Sequence, residues 1–392
     1  MNYDFPEIKH IDDVLPHIQG RDEFLVMEKD GYTVINYAVA FEETFQWDDA
    51  DRLGSAIRRE CRGLIFNDNG ELISHPYHKF FNAGERDETQ ICKINLYDPH
   101  VVLEKLDGAM VRILPTPQGF RLATKSGISS HSMSAETFIA DKQNYYDLIR
   151  DCIKSNLTPI FEWVTPNPKQ RIVVYYQEDN LILTGIRILD NGKYIQYKQM
   201  KEIADSYNIP CVEVIDGLAK QNIELLAKQV GEWEGTEGIV IRFDTGHMVK
   251  IKADDYVLRH KIKSNFTQEK NIIQIILDDR VDDIIPLLYD EDAKLLKDFH
   301  HKFWIEISRL ENKINALFET GNSQFPDRKD FAVNFVQKLS IKSYEPILYG
   351  MKGGLTAREL ILSMVQKSLT SQTKIDANRW LFGNLNWNTF NF

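Results

Sequence analysis

A change in hydrophobic periodicity near residue 260 limits what this chain can fold into. Before that point, short apolar runs are separated by turn-forming residues, a pattern typical of β-strands. After it, apolar residues recur every three or four positions, as they do on the buried face of a helix. The pattern predicts an α+β domain of antiparallel sheets with packed helices, followed by an all-α domain. We place the two domains at residues 1–258 and 259–392.

Three pairs of apolar runs, each interrupted by a turn signal, predict β-hairpins in the first domain. The pairs are residues 24–27 with 32–35, residues 181–189 with 194–197, and residues 239–243 with 248–252. The second pair has the strongest turn signal, because Asn191-Gly192 accepts the positive φ angles that a tight turn demands.

A stripe of apolar side chains in the second domain predicts one long helix. Its members are Leu295, Phe299, Phe303, Ile307, Leu310, Ile314 and Leu317. Gly321 follows where a helix is expected to end. Thr356 and Glu359 have the spacing of a capping box, which predicts a further helix through Met364.

The composition is that of a folded, water-soluble protein. The chain has 392 residues, of which 43% are apolar and 27% are charged, close to the average globular protein. The amino terminus lacks the pattern of a signal peptide and no apolar segment is long enough to cross a bilayer, so a cytoplasmic location is expected. The four cysteines form no Cys-x-x-Cys pair, which favours ordinary reduced thiols. Because the formal net charge is −11, any contact with nucleic acid must be local.

The main chemical signal is a lysine at the end of an apolar strand. The run Val101–Glu104 leads into Lys105, and Asp107 and Gly108 follow. Glycine lets the backbone turn sharply, so the strand can present the lysine to a pocket. Alone, Lys-x-Asp-Gly is a weak pattern, because an ordinary strand that ends in a surface lysine has the same appearance.

Three further segments follow this lysine in order. Phe161-Glu162-Trp163 places one acid in an apolar strand, Glu237-Gly238 opens another strand, and Lys250-Ile251-Lys252 puts two cations on one strand face. Each segment has an ordinary alternative, either an acid that faces water or an exposed strand face. The order of the segments along the chain is what makes the set specific.

This ordered set resembles the motifs of the covalent nucleotidyltransferases, the superfamily of DNA ligases, RNA ligases and mRNA capping enzymes. Upstream, Glu60-Cys61-Arg62-Gly63 and the segment 78–82, His-Lys-Phe-Phe-Asn, resemble the tRNA-repair RNA ligases of tailed bacteriophages, the RNA ligase 1 family. The resemblance covers roughly residues 20 to 260. Further matches are Thr124-Lys125, Arg171-Ile172-Val173 and Asp255-Tyr256, and the departures are Leu106, Ala109 and Ile239.

The resemblance implies an ATP-dependent RNA ligase that joins 5′-phosphate and 3′-hydroxyl ends through a lysyl-AMP and an RNA adenylate. The implied catalytic residues are Lys105, the nucleophile, with Asp107, Lys250 and Lys252. The implied ATP-binding residues are Arg62, Lys79, Glu104, Lys105, Gly108, Lys125, Glu162, Glu237, Lys250, Lys252 and Tyr256. Glu237 and Glu162 are the implied metal ligands, with Mg²⁺ as the cofactor and Mn²⁺ as its substitute.

The resemblance also implies a role for each group. Lys250 should meet the α-phosphate, and Lys252, Arg62 and Lys79 should orient the departing pyrophosphate. Glu162 should contact the ribose hydroxyls, and Asp107 should lie near the acceptor or the metal in later steps. Attack on phosphorus needs a neutral amine, which neighbouring cations, a metal and partial desolvation favour.

The predicted helical second domain helps to distinguish between the classes of this superfamily. DNA ligases and capping enzymes usually carry a small β-barrel after the last lysine motif, so the helical pattern favours the phage RNA ligase class, where the domain would be an RNA-specificity module. The expected partner is single-stranded RNA or a broken tRNA, with no membrane contact and a monomer as the default. Two alternatives stay open, namely a DNA ligase or another nucleotidyltransferase with the same chemistry, and a non-catalytic RNA-binding relic.

Overall fold

The structure, a computed structural model, describes residues 3–41, 43–167, 170–218, 222–266, 268–288 and 290–389. The chain is mixed α+β and divides into two units, Met1–Leu258 and Arg259–Phe392. Among the described residues, every β-strand belongs to the first unit, and the regular structure of the second unit is helical.

The strands of the first unit form three four-stranded sheets. Their bounds are β1 Phe24–Lys29, β2 Tyr32–Tyr37, β3 Leu64–Asn67, β4 Leu72–Ser74, β5 Phe81–Asn82, β6 His100–Glu104, β7 Ala109–Thr116, β8 Gly119–Ala123, β9 Leu157–Val164, β10 Asn180–Ile188, β11 Gly238–Phe243 and β12 Met248–Lys252. The strand orders are β1-β2-β3-β4, β10-β9-β7-β8 and β5-β12-β11-β6. Neighbouring strands are antiparallel as predicted, except that β5 pairs with β12 in parallel.

The helices of both units complete the fold. Their bounds are α1 Leu15–Ile18, α2 Arg52–Glu60, α3 Ser130–Ile139, α4 Gln143–Lys154, α5 Tyr197–Ser206, α6 Ile223–Gly231, α7 Asp254–Phe266, α8 Glu269–Leu277, α9 Val281–Ile284, α10 Asp290–Gln324, α11 Arg328–Asp330, α12 Glu345–Lys352, α13 Ala357–Ser368 and α14 Gln372–Asn378.

Two of the three predicted hairpins are confirmed. β1 pairs with β2 around Gly31, and β11 pairs with β12 around Gly246, both in antiparallel register. Both glycines have positive φ, at +80° and +89°, the region that suits glycine because it lacks a Cβ. The second of these hairpins carries Lys250 in the middle of β12 and Lys252 at its end, with Glu237 directly before β11.

The predicted hairpin over residues 181–197 is wrong in its second half. β10 forms and Gly192 has φ +67°, but the expected partner strand is reduced to one isolated bridge between Arg187 and Tyr194. α5 begins at Tyr197, so the chain leaves the sheet before a second strand can form.

Each sheet of the first unit has its own buried core. The β1–β4 sheet packs on α2 through residues such as Ile57 and Phe66. The β7–β10 sheet packs on α3, α4 and α5, with Phe161 and Leu148 in its centre. The β5–β12–β11–β6 sheet packs on α6 through Val249. Because burial of apolar surface is the main stabilising term, these cores fix the sheets whose strand ends carry the predicted site.

The second unit has a single large core built on α10. The buried face of α10 includes Phe299, Phe303 and Ile307 from the predicted stripe. The helix runs through Gly321 to Gln324, so the predicted stop at Gly321 is wrong. A Cβ on Gly321 would lie 2.2 Å from the Phe335 ring, and close packing explains that glycine.

The predicted capping box at the start of α13 is confirmed. The Thr356 hydroxyl accepts from Glu359 N–H, and the Glu359 carboxylate accepts from Thr356 N–H. The helix continues past Met364 to Ser368. No helix in the described part of the chain combines the length and the apolar character needed to cross a bilayer.

Candidate active site

Lys105 lies where β6 ends and the chain begins to turn. Its N–H donates to the carbonyl of Gly238 at 2.9 Å, directly after the strand pair Glu104↔Ile239. Glu237 therefore stands at the start of β11, beside the lysine. The side chain of Lys105 is 21% exposed, so it is neither fully buried nor free in solvent.

Glu237 binds two lysines at once. Its Oε2 lies 2.7 Å from Lys105 Nζ, and its Oε1 lies 2.8 Å from Lys252 Nζ. The carboxylate is only 5% exposed. Burial would raise the pKa of Glu237, but Lys105 and Lys252 hold that pKa below its usual range. The acid is therefore ionised and fully engaged by cations.

Lys250 shares a face of β12 with Lys252, as the alternation of a strand requires. Its Nζ lies 5.6 Å from the centre of the Phe80 ring. Burial, together with the charges of Lys79 and Lys105, lowers the pKa of Lys250 to about 7. An anion beside this amine would stabilise its charged form.

Tyr37, at the end of β2, lies among three further cations. The Nζ atoms of Lys79 and Lys125 are each 5.2 Å from the centre of its ring. Burial would raise the pKa of Tyr37, but Lys79, Arg62 and Lys125 together lower it. Tyr37 belongs to no motif in the sequence, so pattern analysis missed it.

These contacts join six predicted residues into one positively charged group, which we call the cation cluster. The charges of its members shift the pKa values of the same four groups, Tyr37, Lys250, Glu162 and Glu237. The cluster comprises Arg62, Lys79, Lys105, Lys125, Lys250 and Lys252. It supplies the local positive field that a chain with a net charge of −11 needs in order to bind a polyanion.

Glu162 lies on β9, paired with Met110 of β7. Burial raises the pKa of Glu162 to about 7, although Lys105 and Arg62 act in the opposite direction. Glu237 adds to the increase through like-charge repulsion. A cation or a hydrogen-bond donor placed beside Glu162 would stabilise its ionised form.

Asp107 is 2% exposed, and its carboxylate accepts three hydrogen bonds. Its Oδ2 accepts from the N–H groups of Val173 and Val174, at 2.6 and 2.7 Å. Its Oδ1 accepts from the Tyr256 hydroxyl at 2.7 Å. Its own N–H donates to the Tyr176 hydroxyl at 2.9 Å, a contact that the motifs did not indicate. The carboxylate anchors the loop that follows Lys105.

Two glycines permit close backbone approach at the site. A Cβ on Gly108 would lie 2.2 Å from the carbonyl oxygen of Trp163, and a Cβ on Gly238 would lie 2.1 Å from that of Ile251. Gly238 also has φ +133°, which other residues rarely adopt. These glycines bring the motif strands together at the distances seen here.

Glu104 stands apart from the other predicted ATP-binding residues. Its N–H donates to the carbonyl of Glu213, and burial, followed by the charge of Glu213, raises the pKa of its carboxyl. Its side chain forms no ion pair within the described residues.

The acids of the site suit a hard divalent cation that takes only one or two ligands from the protein. No group of three or more His, Cys, Asp or Glu side chains in the described residues could hold a metal by itself. Mg²⁺ is usually bound by one or two carboxylates together with water and substrate phosphates. The site offers two carboxylates, those of Glu237 and Glu162.

A family model described as RNA ligase matches residues 60–266. This span is more than half of the chain, and it runs from the Glu60-Cys61-Arg62-Gly63 segment past Tyr256. The chain belongs to the RNA ligase family.

Individual relatives carry the same name. A candidate RNA ligase of Thermovibrio ammonificans is 27% identical over an alignment of 331 positions that covers 79% of this chain and 82% of the relative. An RNA ligase of Rhodothermus phage RM378 is 27% identical over an alignment of 303 positions that covers 60% of this chain and 67% of the relative.

Similarity to solved RNA ligases is partial. An archaeal ATP-dependent RNA ligase overlaps with a TM-score of 0.45 and 14% identity, over 64% of each chain. A Naegleria gruberi RNA ligase with PPi overlaps with a TM-score of 0.35 and 14% identity, over 42% of this chain and about half, 52%, of the other.

Proposed function

We propose that this RNA ligase transfers AMP from ATP to Lys105 and then uses that adduct to join RNA ends. The observation that carries the proposal is the position of the Lys105 amine, 2.7 Å from Glu237 and within the cation cluster. Binding of a nucleoside triphosphate requires several cations close together. Transfer of its AMP also requires a nucleophile among those cations, next to the α-phosphorus.

The first step is attack of Lys105 Nζ on the α-phosphorus of ATP. The N–P bond forms, the bond from the α-phosphorus to the bridging oxygen breaks, and pyrophosphate leaves with that electron pair. Nζ has to give up a proton to solvent before it can attack, so its ion pair with Glu237 opens first. Lys250 is assigned to the α-phosphate, where charge develops, because it is the buried amine that gains most from an incoming anion.

The remaining groups position the nucleotide. Arg62, Lys79 and Lys252 are assigned to the departing pyrophosphate, and Glu162 to the ribose hydroxyls. Lys125 and Tyr37 lie with Lys79 in one contact group, so we assign them to the same end of the nucleotide. A divalent ion held by Glu237 and Glu162, when bound, would neutralise phosphate charge during the transfer.

The second and third steps regenerate the enzyme. An oxygen of an RNA 5′-phosphate attacks the lysyl-AMP phosphorus, the N–P bond breaks, and Lys105 recovers its amine as the RNA adenylate forms. The 3′-hydroxyl of a second RNA end then attacks the activated 5′-phosphate, and AMP leaves. The product is a phosphodiester bond.

We assign residues 1–258 to these steps and residues 259–392 to the choice of RNA. In support, the second unit has slightly more basic than acidic residues, whereas the first is strongly acidic. Electrostatic attraction to phosphates is therefore less opposed in the second unit. Broken tRNA or single-stranded RNA is the proposed substrate.

A labelling experiment tests the proposal. The protein is incubated with ATP labelled at the α-phosphate and Mg²⁺, and then with a 5′-phosphorylated single-stranded RNA. We expect label on the protein in a denaturing gel and then a circular RNA product. Competition by GTP and NAD, and a nicked DNA duplex in place of RNA, test for the related nucleotidyltransferases. A protein that never acquires label would contradict the proposal.

A further inference from the structure

Two fully buried arginines stand outside every motif of the sequence. Arg112, on β7, and Arg187, on β10, are both 0% exposed. Burying a guanidinium group is costly unless its charge is paired and its donors are used. Both residues donate to the segments that lead into the cation cluster, Arg112 to backbone carbonyls and Arg187 to a carboxylate, a hydroxyl and one backbone carbonyl.

Arg112 joins the backbone beside Arg62 to the backbone beside Lys125. Its Nη1 donates to the carbonyl of Thr124 at 2.7 Å, and its Nη2 donates to the carbonyl of Gly63. The two segments also touch directly, because a Cβ on Gly63, where φ is +103°, would lie 2.6 Å from the Lys125 carbonyl oxygen. One side chain thus fixes the spacing between two of the cations.

Arg112 has no carboxylate partner among the described residues. Burial, and next the charge of Arg62, lower the pKa of Arg112 to about 9. Desolvation of a buried guanidinium group offsets much of what its hydrogen bonds contribute to stability. The presence of Arg112 beside Arg62 is therefore better explained by the spacing of the cations than by stability alone.

Arg187 makes the corresponding connection between Arg62 and Lys79. It pairs with both oxygens of the buried Glu60, at 2.9 and 3.2 Å, and its Nη1 donates to the carbonyl of Pro76 at 2.8 Å. Glu60 lies two residues before Arg62, and Pro76 lies three residues before Lys79.

Tyr194 and a backbone hydrogen bond add further contacts between the segments that lead to Arg62 and Lys79. The Tyr194 hydroxyl accepts from Arg187 Nη1 and from the N–H of His78, each at 3.2 Å. Lys79 N–H donates to the carbonyl of Arg59 at 2.7 Å. The segment that ends at Lys79 is therefore bound along its length to the segment that ends at Arg62.

We propose that Arg112 and Arg187 are positioning residues for ATP, which set the spacing of Arg62, Lys79 and Lys125 around the triphosphate. The inference rests on the proposed function, because that function gives these cations to the nucleotide. The β- and γ-phosphates are present only while the enzyme adenylate forms. The two arginines consequently matter for that step and not for the joining of RNA that already carries its adenylate.

The test uses variants that keep charge but lose the two-pronged geometry. Lysine has one nitrogen, so Arg112→Lys and Arg187→Lys can each reach only one of the two connected groups. Glu60→Gln preserves the size of the acid and removes its charge, and it replaces Arg187→Lys where that variant yields no folded protein. The control is Arg379→Lys in the second unit, because Arg379 also pairs with a buried acid, Glu269, and with the carbonyl of Leu385.

Three quantities are measured on each full-length preparation. They are the ATP concentration that gives half-maximal self-adenylation, the rate of joining of pre-adenylated RNA, and the thermal midpoint. We expect the Arg112 and Arg187 variants to need at least about tenfold more ATP, since small misplacements of binding groups have large effects. Their joining of pre-adenylated RNA should stay within about twofold of the parent, and the Arg379 variant should keep the parent ATP dependence.

Both reactions are measured on the same sample, and a lower folded fraction reduces the amount of active enzyme without changing the half-maximal ATP concentration. An unchanged half-maximal ATP concentration in the Arg112, Arg187 and Glu60 variants, or a joining rate per folded protein that falls as much as the affinity for ATP, would overturn the proposal. A parent protein that forms no adenylate at all would instead contradict the proposed function.

Discussion

The Nζ of Lys105 lies 2.7 Å from Oε2 of Glu237, and Lys252 occupies the other oxygen of the same carboxylate. The proposed nucleophile and the acid beside it are therefore partners before any nucleotide arrives. For the amine to attack phosphorus, that partnership has to be exchanged for contacts with the substrate. Incoming phosphates can take over the two lysines, and a divalent cation can take over Glu237.

Replacement of the nucleophile should separate the steps of the reaction. We expect Lys105→Ala to abolish the enzyme adenylate, because Lys252, the other amine paired with Glu237, is held on the opposite oxygen of that carboxylate. Joining of chemically pre-adenylated RNA should remain measurable, since that reaction needs no lysyl-AMP. Label from ATP on the protein in a denaturing gel, and circularisation of pre-adenylated RNA, are the two measurements. A variant that still becomes labelled would show that Lys105 is not the nucleophile.

The state of Lys250 should make nucleotide binding depend on pH. Its pKa of about 7 in the free protein means that the amine is mostly charged below pH 7 and mostly neutral above it. A bound phosphate favours the charged amine, so binding above pH 7 takes up a proton and weakens by up to about tenfold per pH unit. Calorimetry between pH 6.5 and 8.5, with an ATP analogue bridged by a methylene group between its α- and β-phosphorus atoms, measures both effects.

Lys250→Arg is the matched variant for this experiment. Arginine stays charged over the whole pH range, so the proton uptake that comes from Lys250 should disappear, and only the exchange that comes from Glu162, whose pKa is also about 7, should remain. A wild-type protein whose affinity is the same at pH 6.5 and 8.5 would exclude Lys250 as the titrating group.

The anchoring of Asp107 predicts different effects for two substitutions. Asp107→Ala leaves the Val173 and Val174 amides without their acceptor, and we expect it to lower the free energy of unfolding by at least about 2 kcal/mol. Asp107→Asn keeps one oxygen for both amides and a donor for Tyr256, so its loss should stay near 1 kcal/mol. Urea denaturation measures both, and equal losses would contradict the anchoring role.

Close packing at Gly108 predicts a loss of both stability and activity. In Gly108→Ala the new methyl group meets the backbone carbonyl of Trp163 at 2.2 Å, where neither side can rotate away. Overpacking of this kind costs about 1–3 kcal/mol, and a shift of the Lys105 loop by about 1 Å should slow self-adenylation by roughly 100-fold. Gly231→Ala is the control, because its nearest contact is the Asp254 carboxylate at 3.3 Å, and it should retain both properties.

The parts of the site that could be predicted from sequence depend on short-range patterns. Lys105 follows an apolar strand, and Lys250 and Lys252 alternate along another, so local periodicity was enough to indicate their positions. The hairpin between β11 and β12 needed only a turn signal between two apolar runs. Patterns of this kind are contained within a few residues, which is why one sequence suffices for them.

The missed residues depend on contacts between distant segments. Tyr37 meets Lys79 and Lys125 only because the first sheet folds beside the other two. Arg112 and Arg187 occupy strand positions where an exposed arginine would give the same alternation, and only the tertiary packing shows that they are buried. No spacing rule along the chain contains this information.

The wrong predictions have local causes that compete with the patterns used. Tyr194 was expected in a strand, but the helix that begins at Tyr197 takes the chain away from the sheet. Gly321 was expected to end α10, but its missing side chain makes room for Phe335 instead. A glycine signal alone does not distinguish a terminus from a tight packing site.

The hydrogen bond from Lys105 N–H to the Gly238 carbonyl gives the reactive amine and the neighbouring carboxylate a common frame. Vibration or bending of this sheet displaces both backbones together and leaves the gap between them nearly constant. In the proposed reaction, the Lys105 amine then moves from Glu237 to the nucleotide by rotation about the four rotatable bonds of its side chain. Side-chain rotation of Lys105 is therefore enough to start the proposed transfer, and the strands need not rearrange.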